Sequence, residues 1–78
     1  MKFEWKETGN SWYYFAVKDG RVTGHVHEIT HTKIWLAKII MNHNNEKFLG
    51  QFISLEFARM AVENFWLQQS ITLLEADF

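Results

Sequence analysis

His25 and His27 stand two residues apart, a spacing that puts both imidazoles on the same face of a β-strand. Two imidazoles make half of a tetrahedral zinc site, which needs three or four ligands at about 2.0–2.1 Å. The other histidines, His31 and His43, fall in turn-like sequence, and neither a cysteine nor a close acidic partner completes a ligand set. The spacing therefore predicts no metal and no cofactor. It reads the histidines as surface groups able to respond to pH near neutrality.

Rings flanked by cations form the second cluster, in which Trp12, Tyr14, Lys18 and Arg21 precede the two histidines. On a sheet surface such a set can stack single-stranded nucleic acid, at about 1–3 kcal/mol per base. It can equally anchor a partner protein, where aromatic residues carry a large share of the binding energy, or brace the sheet through cross-strand pairs. Catalytic signals are missing: the sequence has no glycine-rich phosphate loop, no nucleophile elbow and no histidine–carboxylate spacing that reads as an acid–base pair. Glu4, Glu28, Glu46 and Glu56 are scattered as on solvated faces. A chain this short also leaves little room for a pocket of the usual roughly 300–1,000 Å³. It is read as a non-enzyme.

The scaffold that positions these residues must be built from bulk. At 78 residues without cysteine, the chain has neither disulfides nor a cysteine-based zinc site to hold it. Four Trp, seven Phe and two Tyr can replace those staples, since each buried ring removes about 150–250 Å² from water. Eight basic against nine acidic residues give a formal charge of −1, which disfavours a non-specific nucleic-acid binder. No apolar run reaches the roughly 18 residues of a membrane span. The charged start Met1-Lys2-Phe3-Glu4-Trp5 does not read as a signal peptide. The absent cysteine and the absent signal together lead to the expectation of a cytoplasmic protein, the cytoplasm of a host cell included.

No proline, repeat or linker interrupts the chain, so it reads as a single domain over 1–78. Residues 2–7 alternate as a half-buried strand, and Thr8-Gly9-Asn10 is a turn. Segments 11–18 and 21–29 are rich in aromatic and β-branched residues around Asp19-Gly20, the signature of a two-residue hairpin loop. That loop sets Val17 opposite Val22 and Tyr13 opposite Val26. It predicts an inner face of Phe3, Trp5, Tyr13, Phe15, Val17, Val22 and Val26. The outer face then carries Lys2, Glu4, Lys6, Trp12, Tyr14, Lys18, Arg21, Thr23, His25 and His27. Strands at 34–41 and 47–53 follow, joined by the polar turn 42–45. Ser54 caps a helix over 54–69 in which Leu55, Ala58, Ala61, Val62, Phe65 and Trp66 recur at helical spacing. The segment 70–78 reads equally as an edge strand or an acidic tail.

Trp35-Leu36-Ala37-Lys38-Ile39 and Leu49-Gly50-Gln51-Phe52-Ile53-Ser54-Leu55-Glu56, followed by Ala58 and Ala61, resemble the W-x-A-x-I strand and L-G-x-F-x-T-x-E-x-A-x-x-A segment of the plant ethylene-response-factor domain. This is the integrase-type DNA-binding domain, and small phage-encoded proteins of unknown function show similar patterns. The resemblance spans residues 35–63. It implies a sheet-plus-helix fold whose sheet enters the DNA major groove, with Lys38, Ile40, Phe48 and Gln51 at the outward, groove-facing positions. The strand ahead of it, His25-Val26-His27-Glu28, carries no arginine where that family is arginine-rich.

These observations predict an α+β fold, an antiparallel sheet of about five strands with one helix packed on one face. The expected function is a small interaction module, with Trp12, Tyr14, Lys18, Arg21, His25 and His27 binding another protein, as a phage accessory protein would bind a host target. The alternative is a DNA- or RNA-binding module using Lys38, Phe48 and Gln51. A second copy of the chain is a further candidate to cover the outer face, and no membrane partner is expected.

Overall fold

The computed structural model describes the backbone of residues 2–42 and 45–76, and the side chains of 2–41 and 45–69. The elements are β1 (Phe3–Thr8), β2 (Ser11–Ala16), β3 (Val22–Ile29), β4 (Ile34–Asn42), β5 (Asn45–Phe52) and α1 (Leu55–Ala76). The strands pair antiparallel in the order β1-β2-β3-β4-β5. The helix lies across one face, chiefly over β3, β4 and β5. This is the α+β architecture expected from the sequence. The tip of the polar turn at 42–45, residues 43 and 44, lies outside the described residues, as do 77 and 78. The helix runs past Gln69 to Ala76, so most of the segment left open between strand and tail is helical. None of the described helix is long and apolar enough to cross a membrane.

The helix begins where the sequence places its cap. Ser54 Oγ accepts the backbone N–H of Phe57 at 3.2 Å, and the Ser54 carbonyl accepts that of Ala58 at 3.2 Å. Val26, Ala37, Ile39, Ala58 and Val62 are buried completely and form the core between sheet and helix. Gly24 lets the helix come this close. A methyl group there would stand 2.6 Å from Val62 Cγ1 and 3.3 Å from Tyr14 Cβ.

Both early hairpins depart from the expected register, and the result turns β2 over. Thr8 pairs with Ser11, so the first loop is the two residues Gly9-Asn10, with Gly9 at φ +62° in the leading position of a type II′ turn. The second loop has four residues, Val17 to Gly20, rather than two. Ala16 N–H donates to the Arg21 carbonyl at 2.9 Å, Gly20 N–H donates to the Ala16 carbonyl at 2.8 Å, and Asp19 Oδ1 accepts the Arg21 N–H at 3.0 Å. Of Asp19 and Gly20, only Gly20 takes positive φ, at +71°. A bulge follows, since Phe15 pairs with Val22 but Tyr14 with Gly24, leaving Thr23 as the extra residue. Because side chains alternate with period two, a one-residue shift exchanges the faces of a strand.

The inner set is therefore corrected. Phe3, Trp5 and Val26 are inside as expected, but Trp12 and Tyr14 join them, packed against the core. Tyr13, Phe15 and Val22 face the other way, and Val17 sits in the loop, 42% exposed. Thr23, expected outside, is buried, its hydroxyl donating to the Tyr14 carbonyl at 3.1 Å.

Candidate functional site

The inner aromatics are held by polar handles that mark them as structural. Trp5 Nε1 donates to Glu63 Oε2 at 2.8 Å, and Trp66 Nε1 donates to the Thr23 carbonyl at 3.2 Å. The Arg59 guanidinium lies 5.1 Å from the Trp5 ring centre and 4.8 Å from that of Trp12. Tyr14 stacks on Phe3 at 4.9 Å and meets Trp5 at 4.6 Å. Burial, and after it the Glu63 carboxylate, pushes the Tyr14 phenol up from its ordinary value. Trp12 and Tyr14 are thus part of the sheet–helix joint, not of a binding face.

The opposite face of the sheet has no helix over it and carries a different set of rings. Tyr13 of β2 stacks on its cross-strand neighbour His25 of β3 at 4.6 Å, and His25 stacks on His27 at 5.1 Å. This column of three rings crosses the middle of the sheet. Beside it, Lys38 of β4 pairs with His25, and Leu36 with His27. The His25 Nε2 and His27 Nδ1 atoms are shielded from solvent and have no hydrogen-bond partner among the described residues. His25 titrates below the ordinary histidine value, through burial first, then the positive potential of His27 and Lys38, with Glu46 opposing. The Lys38 ammonium is held by Glu46, 3.3 Å from its Oε2.

Next to the ring column lies an open depression of about 420 Å³, lined by Lys6, Thr8, Tyr13, Phe15, Gly20 and Val22. Its volume exceeds what a chain this short was expected to offer. Its walls are apolar where Tyr13, Phe15 and Val22 meet, and Lys6 enters no ion pair among the described residues.

The expected site residues separate accordingly. His25 and His27 are on the open face together, as are Lys38, Phe48 and Gln51, which follow the outward register of β4 and β5; Phe48 is 62% exposed. Lys18 and Arg21 are exposed at the tip of the β2–β3 hairpin, beside the depression that includes Gly20. Trp12 and Tyr14 are on the wrong side. Sequence reasoning placed Lys6 outward correctly but missed Tyr13, Phe15 and Val22 as open-face residues, and the signal that locates these three is the length of the two hairpin loops; Leu36, also missed, follows from its pairing with His27. Among the described residues no group of three or more histidine, cysteine or carboxylate side chains is arranged to hold a metal ion. His31 sits exposed in the β3–β4 loop with φ +66°, and His43 lies outside the described residues.

Compared with protein-family models, curated proteins and solved structures, the chain matches none.

Proposed function

We propose that the chain is a non-enzymatic interaction module that binds another protein through the open face of its sheet. The observation that carries this reading is the depression floored by Tyr13, Phe15 and Val22 with Lys6 beside it, continuous with the Tyr13–His25–His27 ring column. A cup of this kind accepts an apolar or aromatic anchor, and Lys6 favours an acidic neighbour to that anchor. Tyr13 and Phe15 take the anchoring role first expected of Trp12 and Tyr14. Lys18 and Arg21 serve at the rim.

Nucleic acid is the second reading, favoured by stacked rings beside Lys38 and by the resemblance over residues 35–63. Charge speaks against it. On the open face Lys38 is paired with Glu46 and Lys2 with Glu4, which leaves Lys6, Lys18 and Arg21 as the cations toward this face without an ion pair among the described residues, few for a phosphate backbone. The resemblance to small phage-encoded proteins extends the proposal to an accessory role on a host protein.

The test captures partners on the full chain, purifies the captured protein, and measures its affinity for the wild type and two double variants at two salt concentrations. Replacing Tyr13 and Phe15 with Ser should abolish binding while the circular dichroism stays native. Replacing Lys18 and Arg21 with Gln should weaken it only a few-fold, as expected for rim charges. Salt-sensitive binding of oligonucleotides that depends on Lys6 and Lys38 would overturn the protein-binding reading.

A further inference from the structure

The sheet ends in two edge strands, β1 and β5, and they are not built alike. β5 is offset against β4 at two places, between Ala37 and Lys38 and between Ile40 and Asn42, irregularities of the kind that bend an edge away from a second strand. β1 pairs with β2 without a shift from Phe3 to Thr8, and α1 lies chiefly over β3, β4 and β5. Among the described residues no strand lies on the far side of β1.

The backbone pairing says which groups stand on that edge. Val17 N–H donates to the Lys2 carbonyl at 2.9 Å, so Lys2 turns its backbone toward β2. Orientation alternates along a strand, and the register from Phe3↔Ala16 to Thr8↔Ser11 is unbroken, so Glu4, Lys6 and Thr8 turn the same way. Phe3, Trp5 and Glu7 then point their N–H and C=O groups out of the sheet. Such a row is a template for another strand unless its side chains repel one.

The charges select a copy of β1 itself. On the open-face side the strand reads Lys2, Glu4, Lys6, Thr8. Antiparallel pairing about Trp5 sets Glu4 opposite Lys6 of the second copy and Lys6 opposite its Glu4, with Lys2 opposite Thr8. Pairing about Glu4 or Lys6 sets like charges face to face, and pairing about Phe3 leaves most of β1 unpaired. The register about Trp5 also matches Phe3 with Glu7 and Trp5 with itself, so each exposed N–H meets a carbonyl of the other copy. The Glu4 carboxylate, exposed and 3.8 Å from Lys2 of its own chain, is open to a second cation.

We propose that the chain forms a two-fold symmetric dimer in which the β1 strands of two copies pair antiparallel about Trp5 and join the two sheets into one. The two-fold axis runs perpendicular to the sheet, so both helices lie on one side and both open faces on the other. Half-buried Trp5 meets Trp5 of the second copy on the helix side. Lys6 also lines the depression. Its ammonium carries three N–H donors, enough for Glu4 of the second copy and an acidic group of a target. The inference uses the edge of the sheet and stands whether or not the open face binds a partner. With both depressions on one side of the seam, a target with two sites would be gripped bivalently.

Sedimentation equilibrium of the full chain at high micromolar concentration should report twice the 9.3 kDa of one chain. Glu4→Lys and Lys6→Glu, each alone, oppose like charges across the seam and should return the single-chain mass with native circular dichroism. Mixed in equal amounts, these two variants oppose unlike charges and should pair with each other, restoring the doubled mass. Glu7→Pro removes an N–H that only the second copy uses, a change an edge strand tolerates, and should give a folded single chain. The Tyr13→Ser, Phe15→Ser variant, which tests the open face, should remain a dimer. A wild type of single-chain mass, a dimer that survives both Glu4→Lys and Lys6→Glu, or a mixture of those variants that stays at the single-chain mass would each overturn the proposal.

Discussion

On one side of β2 stand Trp12 and Tyr14, on the other Tyr13 and Phe15, four large rings in four consecutive residues. The first pair is packed beneath α1, tied in through the Arg59 guanidinium and the Trp5 ring. The second pair looks onto the bare face of the sheet, where Tyr13 stacks on His25 and Phe15 helps floor an open depression. Ring chemistry is not what separates them. Position relative to a helix on one face gives the inner pair a structural task and leaves the outer pair free to meet a partner.

The contrast can be broken most directly by truncating one ring from each pair. Trp12→Ala should destabilise the fold by about 3 kcal/mol, because the ring fills the joint between sheet and helix. Phe15→Ala should cost about 1 kcal/mol, as loss of a cross-strand contact on a half-buried surface. Urea denaturation of the two variants checks this, and equal losses would mean that the open face is as structural as the inner one. A smaller effect is expected from Gly24→Ala, about 1–3 kcal/mol, because the added methyl meets Val62 across the joint. If Gly24→Ala left the urea midpoint unchanged, the helix would not lie as close to β3 as described.

The smallest effect belongs to the outer face and depends on pH. The folded protein holds the His25 value below the ordinary one of about 6.5, so the unfolded chain binds more protons as pH falls through that region. Stability should be complete above about pH 6.5 and decline below it. Burial first, then His27 and Lys38, set this shift, with Glu46 opposing it; the Tyr13 ring stacks on the His25 imidazole. Urea midpoints between about pH 8 and pH 5 should fall for the wild type and fall less for His25→Gln.

Much of this architecture was legible in the sequence. Alternation marked the strands, Gly9 and Gly20 marked the turns, and Ser54 marked the helix start to the residue. Composition left β2 undecided because aromatic residues occupy both of its faces, so only the loops could assign them. The loop at Val17–Gly20 is longer than the Asp19-Gly20 pair suggests, and the bulge at Thr23 adds another residue. His25 and His27 were placed correctly because β3 alternates them with Val26.

The central claim is that the open sheet face does the binding. Mapping a captured partner onto the isotope-labelled chain by amide chemical-shift perturbation tests it most directly. The account predicts shifts concentrated at Lys6, Tyr13, Phe15, Val22, His25 and Leu36, with the exposed helix residues Phe57, Met60 and Leu67 unchanged. Shifts confined to Phe57, Met60 and Leu67, with Tyr13 and Phe15 silent, would contradict it.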